Sequence, residues 1–196
     1  MKDKILFIGS SGYLGEHLIE TLVSNFTIDE FKGRVENIHD FEKYTHNNYD
    51  YIFHFGSTND DSIPSKVNKI EQGTRNCIAF ANQQKAKMIY ASTKGILSEH
   101  KNSYEQVKKN STVEVRHSCN SYVCLLIPRV YSRDRKHGLI QAIKDNKPLD
   151  GKQVIYIKIK DFVWQTLEAM KQHNICFNYS GLNMKSTLDI KNWILK

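Results

Sequence analysis

Lys4-Ile5-Leu6-Phe7-Ile8 runs without a break into Gly9-Ser10-Ser11-Gly12-Tyr13-Leu14-Gly15. The first five residues form a short apolar run of strand type. Leu14, Leu18 and Leu22, with Ile19 and Val23 beside them, then recur at helical spacing to about Ser24. In a strand–turn–helix unit of this kind each glycine has a separate task. Gly9 permits the tight turn, Gly12 lets a pyrophosphate approach the backbone, and Gly15 lets helix and strand pack closely. The helix N-terminus offers unpaired N–H groups and partial positive charge to phosphates. The spacing is GxxGxxG rather than GxGxxG, and a tight turn without a ligand is the alternative reading.

Outward from this start, strand-type and helical segments alternate. Tyr51–Phe55 is an apolar run ending in Gly56-Ser57, and a helix face follows from about Lys66 to Gln84. Lys87–Ala91 reads as a strand ending in Ser92-Thr93, Ser103 to about Thr112 as a helix, and Tyr122–Ile127 as a strand stopped by Pro128. Weaker elements follow: a helix over Leu139–Asp145, a strand over Val154–Ile159 and a helix over Asp161–Lys171. A strand over Ile175–Tyr179 and a closing helix over Leu188–Leu195 complete the chain. The alternation predicts a parallel sheet covered on both faces. The reading is one domain over residues 1–196, to which 132–196 add a small substrate-binding elaboration.

The 196 residues are 40% hydrophobic and 25% charged, a globular composition that excludes disorder. No apolar run approaches the length of a membrane span, and the apolar stretch after Met1-Lys2-Asp3-Lys4 is too short for a signal peptide. Cys77, Cys119, Cys124 and Cys176 form neither CxxC pairs nor a regular framework, so they read as thiols in a reducing compartment, and the chain as cytoplasmic. The net charge of +7 is scattered. Its densest cluster, Arg129, Arg133, Arg135 and Lys136, comes with no nucleic-acid-binding motif, so a solvated basic surface is preferred to a nucleic-acid partner. The eight histidines show no metal-ligand spacing, and no metal is expected. His54 reads as a structural hydrogen-bonding residue, and no GxSxG elbow supports a serine hydrolase.

Tyr104 and Lys108 stand one helical turn apart, on one face of a helix. An ammonium near a phenol favours the phenolate and suits the tyrosine to acid/base work. Thr93, at the end of the preceding strand, supplies a hydroxyl able to hold a carbonyl or alkoxide oxygen. A Tyr-x-x-x-Lys pair is common by chance. Its place after a strand ending in Ser-Thr, in a chain opening with GxxGxxG, is what gives it weight.

With these residues in view the chain resembles the short-chain dehydrogenase/reductase superfamily, in its extended nucleotide-sugar epimerase/dehydratase/reductase branch, over nearly its whole length. Gly9–Gly15 is similar to the opening motif. Tyr49-Asp50-Tyr51-Ile52-Phe53-His54-Phe55-Gly56-Ser57 resembles the "DxVxHLAA" strand, and Gly73-Thr74-Arg75-Asn76 the "GTxN" of the next helix. Ile89-Tyr90-Ala91-Ser92-Thr93 is similar to "YxSS/ST", Tyr104–Lys108 to YxxxK, and Leu126–Ser132 to a shortened "LRPxxVYG". Tyr156–Val163 and Phe177–Gly181 resemble the "HVDDVA" and "YNIGSG" segments.

The resemblance implies a Rossmann-type, doubly wound, mostly parallel sheet with a reduced C-terminal substrate region. It implies Tyr104 as acid/base, Lys108 holding the nicotinamide ribose and Thr93 binding the substrate oxygen. Gly9, Ser11, Gly12, Tyr13 and Leu14, with Phe55, Gly56, Ser57 and Pro128, would line the dinucleotide. Arg129 and Arg133 would suit the diphosphate of a nucleotide sugar, since guanidinium groups grip phosphate oxygens in pairs. The implied activity is hydride transfer on a nucleotide-activated sugar, with keto-sugar reduction as the simplest version. A homodimer is the common assembly of the superfamily. The alternative is a non-catalytic dinucleotide-binding or scaffold protein.

The chain departs from the branch at four places. The second strand, whose end reads the adenosine ribose, is not recognisable, so Asp40 is expected on the adenine side. Arg34 would favour a 2′-phosphate, which makes NADPH the preferred form over NADH. Ile70 stands where the branch has a helix asparagine, and a substrate-side loop is missing between Thr93 and Tyr104. The stretch after Tyr131 is also shorter than the branch's substrate region.

Overall fold

A computed structural model of the chain describes residues 2–56, 64–132, 138–148 and 153–194. Strand β1 (Lys4–Ile8), helix α1 (Tyr13–Leu22) and strand β2 (Thr27–Glu30) open the chain. After them come β3 (Tyr51–His54), α2 (Pro64–Gln84), β4 (Lys87–Thr93), α3 (Ser103–Ser118) and β5 (Tyr122–Ile127). The C-terminal part holds β6 (Arg129–Tyr131), α4 (Gly138–Lys144), β7 (Gln153–Lys158) and α5 (Ile159–Met170), then β8 (Ile175–Asn178), β9 (Asn183–Ser186) and α6 (Thr187–Ile194). Six strands form one sheet in the order β2-β1-β3-β4-β5-β8, and every neighbouring pair in it is parallel. The doubly wound parallel sheet expected from the sequence is therefore present.

The two-residue period of a strand sorts its side chains into two cores. Leu6, Ile8, Ile52, Met88, Tyr90 and Cys124 face α2 and α3, where Cys77, Phe80, Ala81 and Val115 meet them. Their neighbours Ile5, Phe7, Phe53, Ile89, Val123 and Leu125 face the other way, against Leu18 and Leu22 of α1 and Phe162 and Met170 of α5. The strands read as unbroken apolar runs because both faces are covered.

Three elements differ from the sequence reading. Strand β2 exists, paired with β1 from Lys4↔Thr27 to Phe7↔Glu30. It is short, polar and half-exposed because it is an edge strand, so its Thr-Ile-Asp-Glu carries no apolar run. One strand in from the opposite edge, between β4 and β8, β5 stops at Pro128, which has no N–H to continue a ladder, and the chain leaves there for β6. Strands β6, β7 and β9 make a second, three-stranded sheet, parallel between β6 and β7 and antiparallel between β7 and β9. Its own small core joins Tyr131, Val154 and Tyr156 to Ile140 and Ile143 of α4 and Ile190 of α6. Strand β8 returns to the main sheet, so the stretch after residue 132 serves both sheets.

The glycines of the first turn divide sharply in how much room they have. A Cβ on Gly15 would overlap the Gly9 carbonyl oxygen and lie 2.7 Å from that of Ser10, whereas at Gly12 the nearest atom is the Gly9 oxygen at 3.3 Å. Gly15→Ala should cost roughly 1–3 kcal/mol of stability and lower the urea midpoint, while Gly12→Ala, which asks one neighbouring oxygen to move only slightly, should lower it much less. Equal midpoints for the two variants would show that α1 can move off the turn.

Candidate active site

The switch point of this sheet lies at β1, where the chain turns outward to β2 and then crosses to β3. In open parallel sheets the crevice at the C-terminal ends of such strands receives ligands. Gly9 takes φ +87°, and a Cβ there would collide with the backbone at Phe55 and Gly56, so the first turn and the end of β3 pass in direct contact. Helix α1 begins immediately after Gly12, which has no side chain to cap it. Two cavities open on either side of this turn, and Gly9 is in the wall of both.

The first cavity, about 520 Å³, is walled by Gly12, Tyr13 and Leu14 of the turn and α1, Phe55 after β3, and Thr93, Tyr104, Lys108, Pro128 and Arg129. The second, about 510 Å³, is walled by Ser10, Ser11, Gly56, Phe31, Lys32, Arg34 and Lys69. The structure thus brings together all but three of the residues that the sequence nominates. Ser57 and Arg133 lie outside the described residues. Asp40 lines neither cavity: its carboxylate accepts the Arg34 backbone N–H at 2.6 Å and the Asn37 side-chain amide at 3.1 Å, which fixes the loop after β2. Asp40 stands directly behind Gly33, which does line the second cavity. Glu30, at the end of β2, is a second carboxylate near that cavity and is likewise outside both walls. Glu30 Oε2 accepts the Ser10 hydroxyl at 2.6 Å, and that bond holds the carboxyl below its ordinary range. A short polar edge strand hid this residue from periodicity arguments.

Around the first cavity, each side chain is placed by a local device. A capping box starts α3: Asn102 Oδ1 accepts the Glu105 N–H at 2.8 Å, and Glu105 accepts the Asn102 N–H at 3.2 Å. Tyr104 therefore sits in the first turn of the helix, with Lys108 one turn further in. Thr93 Oγ1 accepts the Gly95 N–H at 3.3 Å, which leaves its own proton to donate outward. Ser92 beside it is buried and bonded to the Thr112 hydroxyl at 2.7 Å. The Tyr13 hydroxyl pairs with that of Ser132, tying the start of α1 to the end of β6. Lys108 is buried, and burial draws its ammonium down to about 7. Behind it His54 donates or accepts at Thr74 Oγ1, 3.4 Å away, in keeping with a structural role. Burial first, and the Lys108 charge second, lower His54 to about 3.

Solved structures share this architecture. The ADP-L-glycero-D-manno-heptose-6-epimerase of Helicobacter pylori superposes at a TM-score of 0.82 with 19% identity, over 98% of this chain and 81% of the epimerase. A dTDP-4-dehydrorhamnose reductase of Clostridium acetobutylicum gives 0.83 and 16%, over 98% and 79%. The UDP-glucose 4-epimerase of Thermus thermophilus, in complex with NAD, gives 0.78 and 14%, over 97% and 82%. The chain has their fold. No family model and no curated protein matches the chain by sequence. Among the described residues, no helix is long and apolar enough to cross a membrane.

The buried, neutral His54 makes stability depend on pH. Below its ordinary value of 6.5 the unfolded chain takes up a proton there that the folded chain refuses until about 3, so stability falls as pH falls through that window. Between pH 6.5 and about 5, above the carboxylate range, urea midpoints should decline, and His54→Phe should flatten the decline. A slope that persists in the variant would assign it to other groups.

Proposed function

We propose that this chain is an NAD(P)-dependent oxidoreductase or epimerase-type enzyme acting on a nucleotide-activated sugar, and that it reduces a keto-sugar. The observation that carries the reading is the convergence of Thr93, Tyr104 and Lys108 on one groove that begins at the glycine turn. The cradle suits a dinucleotide: around Gly12 only the Gly9 oxygen lies within 4 Å of where a Cβ would stand, so bare backbone faces the groove. The uncapped start of α1 adds its partial positive charge. The structural neighbours named above include epimerases and a reductase of nucleotide sugars, one of them solved with NAD. Four free thiols fit a reducing compartment, and we place the protein in the cytoplasm.

A bound nicotinamide would supply the hydride. The chain's own residues do the rest. Tyr104 gives its phenolic proton to the substrate oxygen as that oxygen gains charge, and Thr93 donates a second hydrogen bond to the same oxygen. Lys108, in its charged form, stabilises the phenolate that Tyr104 becomes. Arg129 is exposed at the start of β6 and borders the groove, where a guanidinium can pair with diphosphate oxygens. Tyr104→Phe should lower turnover at least about 100-fold while NADH affinity, measured by calorimetry, stays within roughly threefold. Retained turnover would remove Tyr104 from the chemistry. NADH binding without turnover on any keto-sugar nucleotide would favour a non-catalytic dinucleotide-binding protein.

The choice of dinucleotide turns on the second cavity. Arg34 lines it, as do Lys32 and Lys69, which suits a 2′-phosphate. Glu30 acts in the opposite sense. Its carboxylate stands at the end of β2 beside the cavity wall, bonded there to the Ser10 hydroxyl and paired with the Lys32 ammonium at 3.3 Å, where an acidic group accepts a ribose hydroxyl and disfavours a 2′-phosphate. We assign NADH as the favoured form on that ground, in place of the NADPH preference drawn from Arg34 alone. Glu30→Gln should shift the ratio of NADPH to NADH affinity toward NADPH by about tenfold, read by parallel titrations. An unchanged ratio would return the decision to Arg34.

A further inference from the structure

Lys108 is 2% exposed, and among the described residues no other lysine or arginine is buried and no carboxylate pairs with it. An ammonium taken out of water needs other partners. One N–H donates to the Ala91 carbonyl at 2.8 Å and another to the Tyr90 hydroxyl at 3.4 Å. The same ammonium stands 4.7 Å from the centre of the Tyr90 ring, where the negative face of an aromatic attracts a cation. Tyr90 therefore contacts Lys108 through both its oxygen and its ring.

Tyr90 is itself immobilised. It is fully buried in β4, with the hydroxyls of Thr74 from α2 and Ser111 from α3 beside its own. Its ring centre lies 5.5 Å from that of His54 on β3. Thr74 in turn donates to the Ile70 carbonyl at 2.9 Å, so this branch of the cluster ends on backbone. Ile70 occupies the position at which the resemblance would place an asparagine.

We propose that Tyr90 is the positioning residue for Lys108, its hydroxyl and ring face together fixing the ammonium in the groove wall beside Tyr104 and favouring its charged form. The inference deepens the nucleotide-sugar reading and rests on it for its meaning in catalysis, while the contacts themselves do not involve a ligand. The titratable groups that face Lys108 are His54 from β3, Cys77 from α2, Tyr90 from β4 and Tyr104 from its own helix. His54 is neutral above about 3, and burial keeps the Cys77 thiol protonated, so neither supplies a counter-charge at pH 7. Removal of the Tyr90 oxygen takes away an acceptor that the charged amine, with three N–H donors and a full charge, uses more strongly than the neutral one. The Lys108 midpoint must then fall.

The test is lysine-selective NMR of the full chain with carbon-13 at the ε position, the Lys108 signal being assigned by its absence in Lys108→Met. In the unsubstituted protein the Lys108 ε-protons should be shifted upfield by the Tyr90 ring, and the amine should titrate near neutrality. Tyr90→Phe should lower that midpoint by roughly one pH unit. Tyr179→Phe makes the same change at a distant buried tyrosine, whose hydroxyl lies 2.8 Å from that of Thr166, and should leave the midpoint in place. An unshifted Lys108 signal in the unsubstituted protein overturns the proposal even if Tyr90→Phe does not fold. A midpoint that stays put in Tyr90→Phe, or moves equally in both variants, overturns it as well. If the enzyme reading also holds, the alkaline limb of the turnover profile moves to lower pH with the midpoint. A moved midpoint in a protein that turns over no substrate leaves the role of Tyr90 standing and removes the enzyme reading alone.

Discussion

The close approach of three backbone segments sets the geometry on which everything else depends. Gly9, at φ +87°, lets the end of β1 pass against Phe55 and Gly56, and Gly15 lets α1 lie directly on the turn. Any side chain at either position would push apart the strands and helix that wall the groove. The helix start, the switch point of the sheet and the two cavities that flank Gly9 are consequences of one contact made without side chains. A ligand that threads past Gly9 would touch both cavities, which is the shape a dinucleotide needs.

The sheet converts that contact into a site by bringing distant segments to its C-terminal edge. Strand β4 delivers Thr93 at its last residue, and α3, started by its capping box, returns Tyr104 and Lys108 to the same edge. Strand β5 stops at Pro128, and the chain leaves there with Arg129 on the groove's rim. The small second sheet then supports that rim through its own core, separate from the two cores of the main sheet.

Burial of Lys108 has a cost and a use. Desolvation weakens its hold on a proton, and a carbonyl, a hydroxyl and an aromatic face offset that weakening where a carboxylate would have been the simpler partner. No carboxylate among the described residues pairs with Lys108, so whenever its amine is charged that charge faces the groove unneutralised. That is where a phenolate, a ribose oxygen or a phosphate can use it. His54 contributes by remaining neutral, since a second charge on the same cluster would drive the lysine's proton off.

The sequence by itself determined the parallel sheet, the glycine turn and the Thr93–Tyr104–Lys108 set. Unbroken apolar strands and helical periodicity are local patterns, and each residue of the set lies at the end or on the face of an element that those patterns define. The edge strand β2 and its Glu30 were not legible, because a strand covered on one side only needs no apolar run. Asp40 is expected on the adenine side from the resemblance, and only the folded loop shows its carboxylate bonded to the Arg34 N–H and the Asn37 amide. The partnership of Tyr90 with Lys108 was equally hidden. Tyr90 reads as one more aromatic in a buried strand, and what it touches depends on how α3 packs across β4. Packing between elements distant in the chain decided these last features, and no local spacing encodes it.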